Sequence, residues 1–339
     1  MKIDGGFGFY NEFHSTDKLV NKARELEEIG YDGLLVAEMA HEPFLPLTLA
    51  AHHTSTIELR TSIAVALARA PMNMANIGHD LNAYSKGRFT LGLGSQIKPH
   101  ITKRFSMPWH GPAKQMREYI ESLHAIWDCW YEGKELNYDG ELYKYRLMTP
   151  EFTPTNGEYG RPKVMMAAVG PLMMDTACAL ADGLIVHSFC TDKHFKEVML
   201  PAIETNLAKY GRSLEDFEIQ YPVFIAAGET EEQVEKAKND IRYRLGFYGS
   251  TPAYKNVLDT HGWGDLQPRL NRLTKEGHWD KLPEQIPDEM LDAFAAVGTP
   301  IETAEIIKDR FGGLIDRCAL EANFGPETLE KQMSILRSA

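Results

Sequence analysis

The chain is short of several features. Only four of its 339 residues are cysteine, and Cys129, Cys178, Cys190 and Cys318 share no CxxC or other metal-ligand spacing. That pattern argues against a zinc site and against a secreted disulfide scaffold, and no metal is expected. No run of about 18 consecutive apolar residues occurs, and the opening MKIDGGFGFYNEF lacks the apolar core of a signal peptide. A cytoplasmic protein with no membrane partner is expected. Basic residues are outnumbered, 36 against 48 acidic, for a formal net charge of −12. Such a charge repels phosphate backbones, so no nucleic-acid partner is expected. A local pocket for one phosphorylated ligand stays open, because a few oriented N–H groups suffice to build it. GxSxG, P-loop and post-strand GxGxxG motifs are also missing, which removes the usual support for serine-nucleophile chemistry, nucleotide hydrolysis and a dinucleotide fold.

What is present is a globular composition, 43% hydrophobic and 25% charged, and a repeating pattern. Apolar runs of strand length fall at residues 2–9, 33–37 (GLLVA), 58–67, 88–93 (RFTLGL), 163–168 (KVMMAA), 183–187 (GLIVH), 217–226 and 316–320. Helical patterns alternate with them at 16–29, 45–54, 73–84, 116–130, 172–181, 195–210, 231–245, 300–311 and 326–336. Eight strands, each followed by a helix, predict a (β/α)8 TIM barrel forming a single domain over residues 1–339. Two segments interrupt the repeat. Residues 134–145 surround Asp139-Gly140 and predict a β-hairpin; residues 251–289, rich in Trp, His, Gly and Pro, predict a helical insertion acting as a lid or a dimer contact.

A barrel carries its chemistry where the strands end. Strand two ends at Glu38, with His41 and Glu42 just beyond, and a carboxylate or imidazole there can exchange protons with a bound substrate. The same residues would serve equally well as a capping carboxylate and a loop imidazole. Strand four runs into Gly94, Ser95, Gln96 and Ile97, whose backbone N–H groups and serine hydroxyl could cradle an anion. Strand five runs through Ala168 and Val169 into Gly170 and Pro171, which opens a helix whose N-terminus offers a second cradle. Both glycine turns would also be needed for geometry alone.

The string Ser85 to Ser95 (SKGRFTLGLGS), following the TSIAVA run and Pro71, resembles the luciferase-like flavin monooxygenase superfamily. MREYI (116–120), AAVGPLM (167–173) and FYGSTPAY (247–254) are similar to its branch of oxidoreductases that use the deazaflavin coenzyme F420. The resemblance spans nearly the whole chain. It implies a cofactor bound at the barrel mouth, with a non-proline cis peptide at Ser62–Ile63 against its ring. It also implies phosphate contacts from Gly94, Ser95, Gln96 and Ile97 and from Ala168, Val169, Gly170, Pro171 and Met173. Where flavin-binding luciferases carry an arginine for the phosphate, this chain has Ser95, which favours F420 over FMN. Glu38 and His41 then match groups that handle the proton while the cofactor's C5 gives or takes a hydride. A small organic substrate and a homodimer are implied as partners. Two rivals are a reduced-FMN-dependent two-component monooxygenase and a non-catalytic flavin-binding barrel.

Overall fold

The computed structural model describes residues 1–7, 13, 15–321 and 323–338. Eight parallel strands form the barrel: β1 (Lys2–Gly6), β2 (Gly33–Val36), β3 (Glu58–Thr61), β4 (Phe89–Gly94), β5 (Lys163–Ala167), β6 (Gly183–Ile185), β7 (Glu218–Tyr221) and β8 (Arg317–Ala319). They hydrogen-bond in the order 3-2-1-8-7-6-5-4, and an additional β3–β4 pairing closes the ring. Helices lie between the strands, so the (β/α)8 TIM barrel read from the sequence is the fold. Gly8 and Phe9, expected to extend the first strand, lie outside the described residues.

The strands form where the sequence is continuously apolar, because strands of a barrel are covered on both faces. All six residues of β4 are buried, as are all three of β6. The first helix, α1 (Thr16–Ile29), buries Leu19, Ala23 and Leu26 along one stripe. It stops at Gly30, whose φ of 95° places the C-cap in the left-handed region. An aspartate before a strand recurs as a joining device. Asp182 accepts the Val164 N–H at 2.7 Å, and Asp316 accepts the Ile219 N–H at 2.7 Å.

The chain divides into two compact units. One comprises Asp4–Ile185 and Lys209–Glu218, and carries α1, α2 (Phe44–His53), α3 (Pro71–Tyr84), α4 (Pro112–Glu132) and α5 (Pro171–Leu180). Near the strand starts its interior holds the Arg60 side chain, which is ion-paired to Glu58 and Glu218. The predicted hairpin is there, with Tyr138 opposite Tyr145 and Asp139 opposite Lys144. Its turn is therefore longer than an Asp139-Gly140 corner. The reason is Glu118 of α4, whose buried carboxylate accepts the Leu142 and Tyr143 N–H groups at 2.7 and 3.3 Å and holds the tip open. Glu118→Ala should free both amides at a cost of about 1–2 kcal/mol. Hydrogen exchange reads this directly: protection should fall at Leu142 and Tyr143 and persist elsewhere in the barrel.

The other unit comprises Met1–Ile3, Val186–Ala208 and Ile219–Ala339. Here the expected strand at 217–226 is two strands. Pro222 lacks the N–H a ladder needs, so β7 stops at Tyr221 and Phe224–Ala227 pairs instead with Ala295–Gly298. The insertion at 251–289 is helical, as expected, and has its own apolar cluster. Val257, Leu258, Leu270, Leu282 and Ile286 bury themselves with Ile241 and Leu245 of α6 (Glu231–Gly249). A segment anchored on its own core is a packed subdomain rather than a loose flap.

Candidate active site

Strand registers bring several of the expected residues to one rim. Val36 lies opposite Thr61, Gly94 opposite Val65, and Leu93 opposite Met166, all in parallel ladders. The segments that leave the C-terminal ends of β2, β3, β4 and β5 therefore start side by side.

Glu38, 7% exposed, is held by three donors. Its Oε2 accepts the Val65 N–H at 2.8 Å and Arg69 Nη1 at 2.7 Å, and its Oε1 accepts Arg69 Nη2 at 3.0 Å. Arg69 Nη1 also donates to the Val65 carbonyl at 3.2 Å. Burial works against the Arg69 charge, but the hydrogen bonds and charge of Glu38, helped by Glu42, raise its pKa above the ordinary guanidinium value. The pair thus satisfies both backbone groups of Val65. The Glu38 N–H adds a 3.0 Å bond to the Ile63 carbonyl, and the Ser62 N–H one of 2.8 Å to Val36. Between these anchors the Ser62–Ile63 peptide is cis. The long strand expected over 58–67 is broken there, into β3, a short Ala64–Val65 strand and a turn over Ala66–Ala68.

Glu42 has a different task. Its Oε2 accepts the Phe44 and Leu45 N–H groups at 2.7 and 3.0 Å, capping α2. Among the described residues no group of three His, Cys, Asp or Glu side chains could hold a metal ion. His41 is exposed, and its ring stacks on Phe13 at 4.7 Å, nearly parallel. No hydrogen bond joins it to Glu38 among the described residues, so the two expected proton-handling groups stand in separate surroundings. Phe7, Phe13, Val36, Ala37, Met39, Ala40 and His41 enclose a small cavity of about 30 Å³.

The two glycine turns differ. In β4 a Cβ on Gly92 would overlap the Thr61 carbonyl oxygen, and one on Gly94 would press on the Ile63 side chain at 2.9 Å. These glycines permit close packing beneath the cis segment. Beyond them Gln96 adopts a φ of 59°, its Oε1 accepts the Ile97 N–H at 2.9 Å, and the Ser95 hydroxyl donates to the Gln96 carbonyl at 3.1 Å. That turn satisfies itself. At the other turn Gly170 has a φ of 84° with nothing within 4 Å of where a Cβ would sit. It caps α5 without a side chain, and Pro171 at the first position has no N–H to give. Helix geometry leaves the Leu172 and Met173 N–H groups of that first turn without an intrahelical partner.

Sequence reasoning passed over three residues. Arg69 is one. Arg88, read only as part of a string, is the second: its Nε donates to Ser85, and its two Nη groups donate to Ala51, to Thr54 twice and to Ile57. The third is His187, whose place at the end of an apolar strand run gave no chemical signal.

The luciferase-like monooxygenase family model matches residues 7–317. An uncharacterized protein of Mycobacterium tuberculosis is 46% identical over 318 residues, covering 94% of this chain and 92% of that protein. A 5,10-methylenetetrahydromethanopterin reductase of Archaeoglobus fulgidus is 30% identical over 288 residues, covering 83% and 81%. Among solved structures, the coenzyme F420 dependent tetrahydromethanopterin reductase of Methanopyrus kandleri superposes with a TM-score of 0.77 at 21% identity, over 99% of this chain and 96% of that one. The family model covers most of the length and two relatives at 30% identity or more cover over four fifths of it: the chain belongs to the luciferase-like monooxygenase family.

Proposed function

We propose that the chain is an F420-dependent oxidoreductase that moves a hydride between the deazaflavin C5 and a small organic substrate. The observation that carries this reading is the first turn of α5. Gly170 leaves open space, no side chain caps the helix, and the Leu172 and Met173 N–H groups can donate to a phosphate with no cationic side chain. An acidic chain can hold an anionic cofactor in this way. The naming of the Archaeoglobus and Methanopyrus relatives as reductases, one of them F420-dependent, supports the deazaflavin over FMN.

F420, when bound, would supply a carbon that gives or takes a hydride. The rest of the work falls to this chain. Ala168 to Met173 would hold the phosphate, and Ser62 and Ile63 would face the ring. The turn from Gly94 to Ile97 would join in only by exchanging its internal Gln96 and Ser95 contacts for the ligand. Glu38 positions the Ile63–Val65 segment through Arg69, while His41, with its ring exposed, handles the proton. Incubated without dioxygen, the protein should oxidise reduced F420 when offered a panel of carbonyl and enone acceptors. Dioxygen consumption with reduced FMN, and no F420 turnover on any acceptor, would overturn the reading.

A further inference from the structure

Strand β6 ends at Ile185, and two residues later comes His187, at the strand end where parallel barrels carry their chemistry. Its ring is held on three sides. Tyr254 stacks on it at 4.6 Å and 28°, Tyr248 meets it edge-on at 4.8 Å and 84°, and the Phe189 N–H donates to its Nδ1 at 3.0 Å. The last contact fixes the tautomer: a nitrogen that accepts an N–H carries no proton, so the neutral ring carries it on Nε2. Nε2 has no partner among the described residues, and the imidazole is mostly, though not wholly, buried. Both tyrosines belong to the string FYGSTPAY (247–254).

We infer that His187 is a hydrogen-bond donor, through Nε2–H, to the carbonyl oxygen of an uncharged organic substrate. The inference rests on the oxidoreductase reading and names its substrate class. The walls around the ring are aromatic, and among the described residues no charged group bears on it, so a carboxylate or phosphate would find no counter-charge there. A carbonyl needs only a directed donor. F420, when bound in its reduced form, would supply the hydride to the carbonyl carbon and leave oxidised, and the oxygen would take a proton. His187 keeps its own proton throughout and stabilises the charge that gathers on oxygen. Burial alone pushes the imidazole down to about 4, so the ring stays neutral through the physiological range and remains a donor of fixed polarity.

Two measurements test this. Protein labelled with 15N-histidine, with the resonance assigned by its loss in His187→Gln, should show a neutral Nε2–H ring at pH 7 whose nitrogen shifts saturably as cyclohexanone is added. An imidazolium, an Nδ1–H tautomer, or no shift with the ketone would overturn the assignment whether or not the chain binds F420. In turnover, His187→Phe should lower kcat/KM about 100-fold with F420 affinity unchanged. His187→Gln, whose amide reaches as far as Nε2, should recover part of it. A phenylalanine variant within about twofold of the parent enzyme would remove His187 from substrate binding. Failure of F420 to bind while the ketone response persists would sink the F420 reading and leave the carbonyl site standing.

Discussion

Replacing Glu38 by alanine is expected to destabilise the protein by about 3 kcal/mol, because removing one partner of a buried ion pair strands the other. Arg69 would lose both guanidinium bonds to Glu38 and keep the Val65 carbonyl at 3.2 Å and Glu42 at 3.3 Å, while the Val65 N–H would lose its acceptor. For a chain of this size the melting temperature should fall by roughly 4 °C. Arg69→Met should cost a similar amount, and the double variant should fall short of the sum, since both changes remove one interaction. The comparison separates two roles. An anchor loses stability and cofactor affinity together, and Glu38→Gln, which keeps one acceptor oxygen, should lose less of both. A proton-transfer group would instead show a collapse of kcat in Glu38→Gln with the melting temperature unchanged.

Arg88→Met should have the larger structural effect. All five guanidinium N–H positions are used: Ser85 takes the Nε–H, and the Nη groups reach the Ala51, Thr54 and Ile57 carbonyls and the Thr54 hydroxyl. Three of those carbonyls lie at the end of α2 and in the turn to β3, where helix geometry leaves them without N–H partners. The arginine thus ties the close of α2 to the start of β4. Methionine fills much of the same volume and satisfies none of these acceptors, so a loss of about 3–4 kcal/mol is expected. Lysine should recover little, because a point charge cannot reproduce the fork. Chemical denaturation checks both; a variant within about 0.5 kcal/mol of the parent would show that water replaces the arginine.

These two residues show what the sequence carries and what it does not. The barrel was legible because apolar runs such as GLLV and FTLGLG are local signals, and burial on both faces follows from composition alone. Helix ends were legible where a glycine or proline marked them, as at Gly30 and Pro171. The break after Thr61 was not, since TSIAVA reads as one strand and only the tertiary bonds from Glu38 and Val36 bend it. Glu38 follows the end of β2, yet its partner lies 31 residues away, and nothing local distinguishes an anchored carboxylate from a free one. The same holds for Gly94 to Ile97, where a self-satisfied turn and an anion cradle share one composition. His187 ended an apolar run, and its significance depends on tyrosines some 60 residues further on. Glu118 moved the hairpin corner for the same reason: a side chain on α4 overrode a local Asp-Gly preference.

The most direct test of the central claim is a titration of the purified protein with F420 and, separately, with FMN, followed by the absorbance and fluorescence of each cofactor. Saturable F420 binding in the low micromolar range, weakened in a Gly170→Val variant, with FMN bound at least about tenfold more weakly, is the predicted result. Tight binding of FMN with none of F420 would contradict it.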